Sequence, residues 1–123
     1  IEILRAAMEG VAYRFAAIAD QLIPAGPDTI IYASGGALRE SRAWAQIIAD
    51  VLQRPLLLSG IREASGRGAA LRALEVLRLL ADPDVLTPEV VAILLPKADK
   101  GAVYQRARAR QQQLRDTMFG PEN

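Results

Sequence analysis

Cysteine and histidine are both absent from the 123 residues. That removes disulfides, thiolate metal sites, imidazole general bases and cysteine nucleophiles together. Aromatic residues make up 5% of the chain, and the apolar content is mainly alanine, leucine, isoleucine and valine. Such a mixture favours helices packed on a small sheet over an all-β fold. No apolar run approaches the ~18 residues needed to span a bilayer, and no signal-peptide pattern occurs. These absences are compatible with a cytoplasmic protein. The phosphate-loop order G-x-x-x-x-G-K-[ST] and the dinucleotide order G-x-G-x-x-G are also missing. The chain opens at Ile1 within a helical pattern and without methionine, so it reads as a piece of a longer polypeptide.

What is present is an ordinary globular composition, 51% hydrophobic and 24% charged, in a length that makes one domain at most. The net charge of +1 is uneven. Residues 1–96 carry nine arginines against eleven acids, and residues 97–123 carry six basic residues against three acids.

Leu4, Ala7, Met8, Val11, Phe15, Ile18 and Leu22 recur at helical spacing and predict an amphipathic helix over 3–22 with that stripe buried. Gly10 inside it costs about 1 kcal/mol relative to alanine, which points to a neighbour packed closely there. Pro24, Gly26 and Pro27 make the connection that follows. Residues 29–33 form a short continuous apolar run, predicting a strand covered on both faces. Ser41 suits the N-cap of a helix carrying Trp44, Ile47, Ile48, Val51 and Leu52 inward. Residues 55–58 read as a second strand, so the unit is β-α-β with parallel strands. A third helix from 65–68 onward sets Ala70, Ala73, Leu74, Leu77 and Leu80 at helical spacing, with Gly66 and Gly68 there to permit close packing on the sheet or, as the alternative, direct contact with a ligand. Residues 89–96 fit either a helical turn or an extended stretch. Residues 101–118 read as a polar, arginine-rich helix. Asp50 reads as a solvated or capping carboxylate.

Gly35-Gly36 raises the functional question. A glycine turn at the carboxyl end of a parallel strand is where open α/β sheets bind ligands. Without Cβ atoms, the backbone offers a flat surface to a planar ring or to phosphate oxygens, and the next helix start presents free N–H groups. The alternative is that the pair merely makes a tight turn.

Residues 33–77, ASGGALRESRAWAQIIADVLQRPLLLSGIREASGRGAALRALEVL, resemble the C-terminal domain of the FGGY carbohydrate kinases. The resemblance rests on the Gly-Gly turn, on Trp44, Gln46, Ala49 and Asp50, and on Glu63, Ala64, Gly68, Ala69 and Ala70. MEGVAYRF at 8–15 is similar to the helix that precedes this unit in the family. ASGGAL together with EASGRGAALRALE is most similar to the gluconate kinase branch. The fold this implies is α/β, a partial ribonuclease H-like (actin-like ATPase) C-terminal domain, with a parallel βαβ unit flanked by helices. Residues 3–80 would be its core and 81–123 a tail ending in a helix.

The same resemblance implies that Gly35 and Gly36 lie against the adenosine of ATP, with Ala37 and Leu38 beside it and Glu40 or Ser41 reaching the base or ribose. Glu40 departs from the asparagine of several relatives and is an acceptor only. The family transfers a phosphoryl group from Mg²⁺-ATP to a sugar, polyol or sugar-acid hydroxyl, with an aspartate base and glycine-rich phosphate loops. This chain has no D-x-G-T loop, its three threonines (Thr29, Thr87 and Thr117) have no glycine neighbour, and none of its aspartates reads as a catalytic base. The expectation is a fragment that contributes part of the adenosine pocket, binds no metal itself, leaves sugar binding to an N-terminal domain, is inactive alone and self-associates. Two other readings remain: a nucleic-acid binder using Lys97, Lys100, Arg106, Arg108, Arg110 and Arg115, with Tyr104 or Phe119 to stack on bases, and a ligand-free interaction module. Against the first, Arg106 and Arg110 lie one turn apart while Arg108 points away, so the charge forms no single stripe.

Overall fold

The computed structural model describes residues 1–23, 29–82 and 86–120. Eight elements follow one another: α1 (Glu2–Leu22), β1 (Ile31–Ala33), α2 (Gly36–Glu40), α3 (Arg42–Leu52), β2 (Leu56–Ser59), α4 (Ala64–Val76), β3 (Val90–Leu94) and α5 (Gly101–Phe119). Pro24, Gly26 and Pro27 lie outside the described residues. The sheet order is β1-β2-β3. β1 and β2 are parallel, as the β-α-β spacing requires, with Ile31 opposite Leu56 and Ala33 opposite Leu58. The ambiguous run at 89–96 resolves as β3, antiparallel to β2 with Leu56 opposite Leu94. β2 is therefore paired on both sides, and β1 has a free edge among the described residues.

Strand alternation divides the sheet into a covered face and an open one. Ala33, Leu56, Leu58 and Leu94 are buried against Ala45, Ile48, Ala49 and Val51 of α3, with Ala12, Tyr13 and Ala16 of α1 and Tyr104 of α5 completing the core. The opposite row joins Tyr32, Leu57 and Ile93, of which Tyr32 and Ile93 are exposed. The expectation of a strand covered on both faces is thus corrected, because no helix of the described chain lies on that second face. The segment after residue 80 supplies both β3 and α5, and each packs onto the β1–α3–β2 unit.

A second correction concerns α1. Its large apolar stripe is not the buried face: Leu4, Val11, Phe15, Ile18 and Leu22 are exposed. The buried face is Ala12, Tyr13 and Ala16, because the partner helix α3 offers small residues there. Gly10 has its close neighbour: a Cβ at that position would stand 3.4 Å from Nε2 of Gln111 on α5. Tyr13 and Tyr104 meet edge-to-face with ring centroids 6.3 Å apart.

α3 holds its neighbours through polar contacts. The backbone N–H of Trp44 donates to Ser41 Oγ at 3.2 Å, so Ser41 is the N-cap anticipated from the sequence. Asp50 is buried, which corrects its reading as a solvated carboxylate. Its Oδ1 accepts from the backbone N–H of Lys97 and from Nε2 of Gln46, both at 2.8 Å. Gln46 Nε2 also donates to the carbonyl of Leu95 at 2.9 Å. Two residues of the helix pattern that carried the family resemblance therefore anchor the chain as it leaves β3.

α4 differs. It buries no residue, and a Cβ at Gly68 would meet nothing within 4 Å. The expected packing of Gly66 and Gly68 on the sheet does not occur among the described residues. Among the described residues, no helix is long and apolar enough to cross a membrane.

Candidate functional site

The site begins where β1 ends. Ala33 is buried, Ser34 is exposed, and Gly35 turns the chain with φ 107° and ψ 150°. That is a backbone conformation L side chains rarely adopt, so Gly35 has a conformational reason to be glycine. Gly36, the first residue of α2, has no positive φ. A Cβ on either glycine would meet nothing within 4 Å. The fold of this chain therefore explains Gly35, whereas neither backbone strain nor packing explains Gly36.

α2 is a single short turn that ends at Ser41, whose extended backbone (φ −123°, ψ 92°) starts α3. This places the remaining candidates in distinct surroundings. Ala37 and Glu40 are exposed, and Leu38 is half-buried against the core. Ser41 uses an oxygen lone pair on its capping bond, which leaves its hydroxyl proton available to donate.

Two concavities flank α2. An apolar groove of about 410 Å³ runs between α1 and β1, where Phe15, Ile18, Leu22, Tyr32, Ser34 and Leu38 line it. A smaller pocket of about 230 Å³ sits over the carboxyl end of β2, lined by Arg39, Glu40, Arg42, Leu58, Val91 and Ala92. The six residues singled out by sequence are thus contiguous but not convergent. Leu38 faces the groove, Glu40 faces the pocket, and Gly35, Gly36, Ala37 and Ser41 line neither. Arg39 and Arg42 were missed by sequence reading. The available signal was their position on either side of Glu40 in ALRESR.

The groups with shifted titration lie elsewhere, at the contact of α1 with α5. Burial first, and then the Glu9 carboxylate, push the Tyr13 phenol up to about 12. Tyr104 is also raised by burial, and its hydroxyl donates to Glu9 Oε1 at 3.4 Å. The basic content of α5 is partly committed within the fold: Arg108 pairs with Asp20 of α1, and Arg106 donates to the carbonyl of Ala102. Among the described residues, no group of three or more carboxylates gathers that could hold a metal ion.

Residues 1–75 match the model of the C-terminal domain of the FGGY family of carbohydrate kinases, a span from α1 through most of α4. Over 90 residues the chain is 34% identical to glycerol kinase 1 of Thermotoga maritima, covering 72% of this chain and 18% of that protein. The structure of a xylulose kinase from Rhodospirillum rubrum superposes with a TM-score of 0.71 at 32% identity, covering 94% of this chain and 24% of that one. A gluconate kinase from Lactobacillus acidophilus shares the fold with a TM-score of 0.78 at 20% identity, again over 95% of this chain and 24% of that one. The chain thus spans about a quarter or less of the kinases it matches, and glycerol, xylulose and gluconate kinases stand side by side among them without singling out a gluconate branch. By its helix-strand-helix pattern, its glycine turn and these matches, the chain belongs to the FGGY family of carbohydrate kinases, as a C-terminal domain of that family.

Proposed function

We propose that this chain is the C-terminal part of a cytoplasmic carbohydrate kinase, and that its Gly35-Gly36 turn receives the adenosine of ATP. The observation that carries this reading is Gly36: nothing among the described residues requires a missing side chain there, and a Cβ would meet none of them within 4 Å. A planar base resting on that backbone accounts for it, at the carboxyl end of a parallel strand where α/β sheets receive ligands. Ala37 keeps the surface low, Leu38 gives it an apolar flank, and Glu40 and the Ser41 hydroxyl offer an acceptor and a donor to the base or ribose.

The reaction is phosphoryl transfer from ATP to a sugar, polyol or sugar-acid hydroxyl. It requires a general base on the acceptor hydroxyl and charge stabilisation around the γ-phosphoryl group. This chain's residues supply neither, so the base, the phosphate loops, the Mg²⁺ ligands and most of the sugar site belong to the preceding part of the enzyme, and residues 1–123 alone turn over no substrate. Gluconate is the acceptor that ASGGAL and EASGRGAALRALE favour, and side-by-side assays of gluconate, xylulose and glycerol on the full-length enzyme test it. The exposed stripe of α1 and the free edge of β1 make self-association the expected state of the isolated chain. Sedimentation over a concentration series checks this, a clean monomer at high concentration being the contrary result.

The test of the site is Gly36→Val in the full-length enzyme. Nucleotide affinity is expected to fall while the melting temperature changes little, because the added side chain meets no protein atom. Gly68→Val serves as a control, since it also enters open space but lies outside the turn. ATP binding unchanged in Gly36→Val would reduce the glycine pair to a turn.

A further inference from the structure

We propose that the groove between α1, α3 and the start of α5 is a separate ligand site, one that takes a small organic anion with an apolar body. The site shares no residue with the glycine turn and stands independently of the nucleotide reading.

The groove measures about 440 Å³, within the ~300–1,000 Å³ of small-molecule sites. Its lining sorts into two parts. Leu4 and Met8 of α1 and Ile47 of α3 supply an apolar wall. Arg5, Lys97 and Lys100 bring positive charge from two separate segments, against the single carboxylate of Asp50. Lys97 and Lys100 are the only lysines of the sequence, and both line this groove. The groove between α1 and β1 is of similar size, but no charged residue lines it. Apolar wall and convergent charge occur together at the α1–α3–α5 groove, and that combination is what an amphipathic anion requires.

The three cations are held differently, and the difference orients the ligand. Arg5 gives its Nε–H to Glu9 at 2.8 Å, which leaves the rest of its donor fork. The Lys100 ammonium lies 3.3 Å from Asp99 in a solvent-facing pair, of the kind that contributes little. The Lys97 ammonium has no partner among the described residues, yet its backbone is fixed: the N–H donates to Asp50 Oδ1 at 2.8 Å. Asp50 is 4% exposed, so a buried carboxylate anchors the base of a lysine whose charge is uncommitted. An ordered base lowers the entropy lost when the ammonium meets an anion. The same Asp50 repels a negative head from the floor. The head therefore lies at the Lys97–Lys100 rim, and the body lies against Leu4, Met8 and Ile47. α5 begins at Gly101, next to Lys100, and the positive end of its dipole favours the same orientation. Ammonium groups are point charges rather than planar forks, so a carboxylate and a phosphate monoester both satisfy them.

Methyl NMR of the full-length protein carrying methyl-labelled methionine tests this, with the Met8 signal assigned through Met8→Leu. Benzoate and phenyl phosphate are the probes, and benzyl alcohol and inorganic phosphate are their partial counterparts. Each aromatic anion is expected to shift the Met8 signal saturably, benzyl alcohol about fivefold more weakly, and inorganic phosphate not at all. The Lys97→Gln/Lys100→Gln variant keeps the Lys97 N–H that Asp50 accepts. Its affinity for both aromatic anions should fall about fivefold, with a shallower dependence on salt. Should the double variant melt early, Lys97→Gln alone, at an exposed position, gives the same readout with a smaller loss. Binding of one aromatic anion without the other sustains the site and identifies its head group. The proposal is overturned by the absence of a saturable Met8 shift, or by equal affinity for an aromatic anion and its partial counterpart. An anion affinity that the lysine variants leave unchanged overturns it as well.

Discussion

Helices α3 and α4 each leave the carboxyl side of a strand, and each repeats apolar residues at helical spacing, yet they end in opposite situations. α3 buries Ala45, Ile48, Ala49, Asp50 and Val51, whereas α4 buries none of its 13 residues. Polar anchoring follows the same division. α3 is capped by Ser41, and at its other end Gln53 takes φ 52° and donates from Nε2 to the carbonyl of Asp50. α4 starts without a side-chain cap and carries an exposed Arg72–Glu75 pair. Periodicity specifies a helix with an apolar side, but it does not say whether the chain also contains a partner for that side. α3 has its partners in β2, α1 and α5; among the described residues α4 buries no side chain and is held by the hydrogen bond that Arg67 donates to the carbonyl of Leu86.

Core truncation should separate the two helices most widely. Ile48→Ala, at a position 4% exposed, is expected to cost about 2–4 kcal/mol, and Leu74→Ala, 39% exposed, less than about 1 kcal/mol. Urea denaturation of both variants checks this, and equal costs would mean that α4 is packed in solution. Removal of a carboxylate comes next. Asp50→Ala strips an acceptor from Lys97 N–H and Gln46 and should cost about 1–3 kcal/mol, against about 0.5 kcal/mol or less for Glu75→Ala on exposed α4. A Glu75 effect as large as that of Asp50 would break the contrast.

The glycines extend the comparison to the backbone. Gly35→Ala forces a side chain onto φ 107° and should lower stability by roughly 1–3 kcal/mol. Gly68→Ala, inside α4 and facing open space, should raise it by about 0.5–1 kcal/mol through helix propensity. Thermal melts of the pair decide the matter, because a destabilising Gly68→Ala would reveal a neighbour for α4. The smallest effect is alkaline. The Tyr13 phenol is raised from 10.0 to about 12, so the folded state favours its neutral form. That stability is fully present below about pH 10 and is lost as pH climbs towards 12, by on the order of 1 kcal/mol. Melting at pH 9 and pH 11 should show a fall that Tyr13→Phe reduces.

What the sequence made legible was local. The Ser41 cap and the bounds of α5 depend on residues a few positions apart, and the parallel β1–β2 pair follows from the spacing of one strand-helix-strand unit; the structure has each of them. What escaped depends on distant partners. The stripe through Leu4, Phe15 and Leu22 is the stronger apolar signal on α1, but Ala12 and Ala16 meet α3, and only the neighbouring helix determines that choice. Asp50 bonds to the chain 47 residues further on, and the run at 90–94 becomes a strand because β2 offers it an edge. The site divides likewise. The need for glycine at position 35 follows from a turn next to it, whereas the pocket at Arg39 and Arg42 is floored by β2 and β3 and cannot be read from ALRESR.

The contact between α1 and α3 carries one consequence for mutation. Ala12, Ala16, Ala45 and Ala49 are each 0–1% exposed, so the two helices meet through methyl groups and their axes can approach to the near end of the usual 8–10 Å range. At such a seam the ordinary ranking of substitutions inverts. Losing a carbon there leaves a space hardly larger than a methyl, whereas gaining one must push two backbones apart. The least bulky side chains of the molecule thus set its tightest limit on sequence drift, and selection at these four positions would act on size rather than on hydrophobicity.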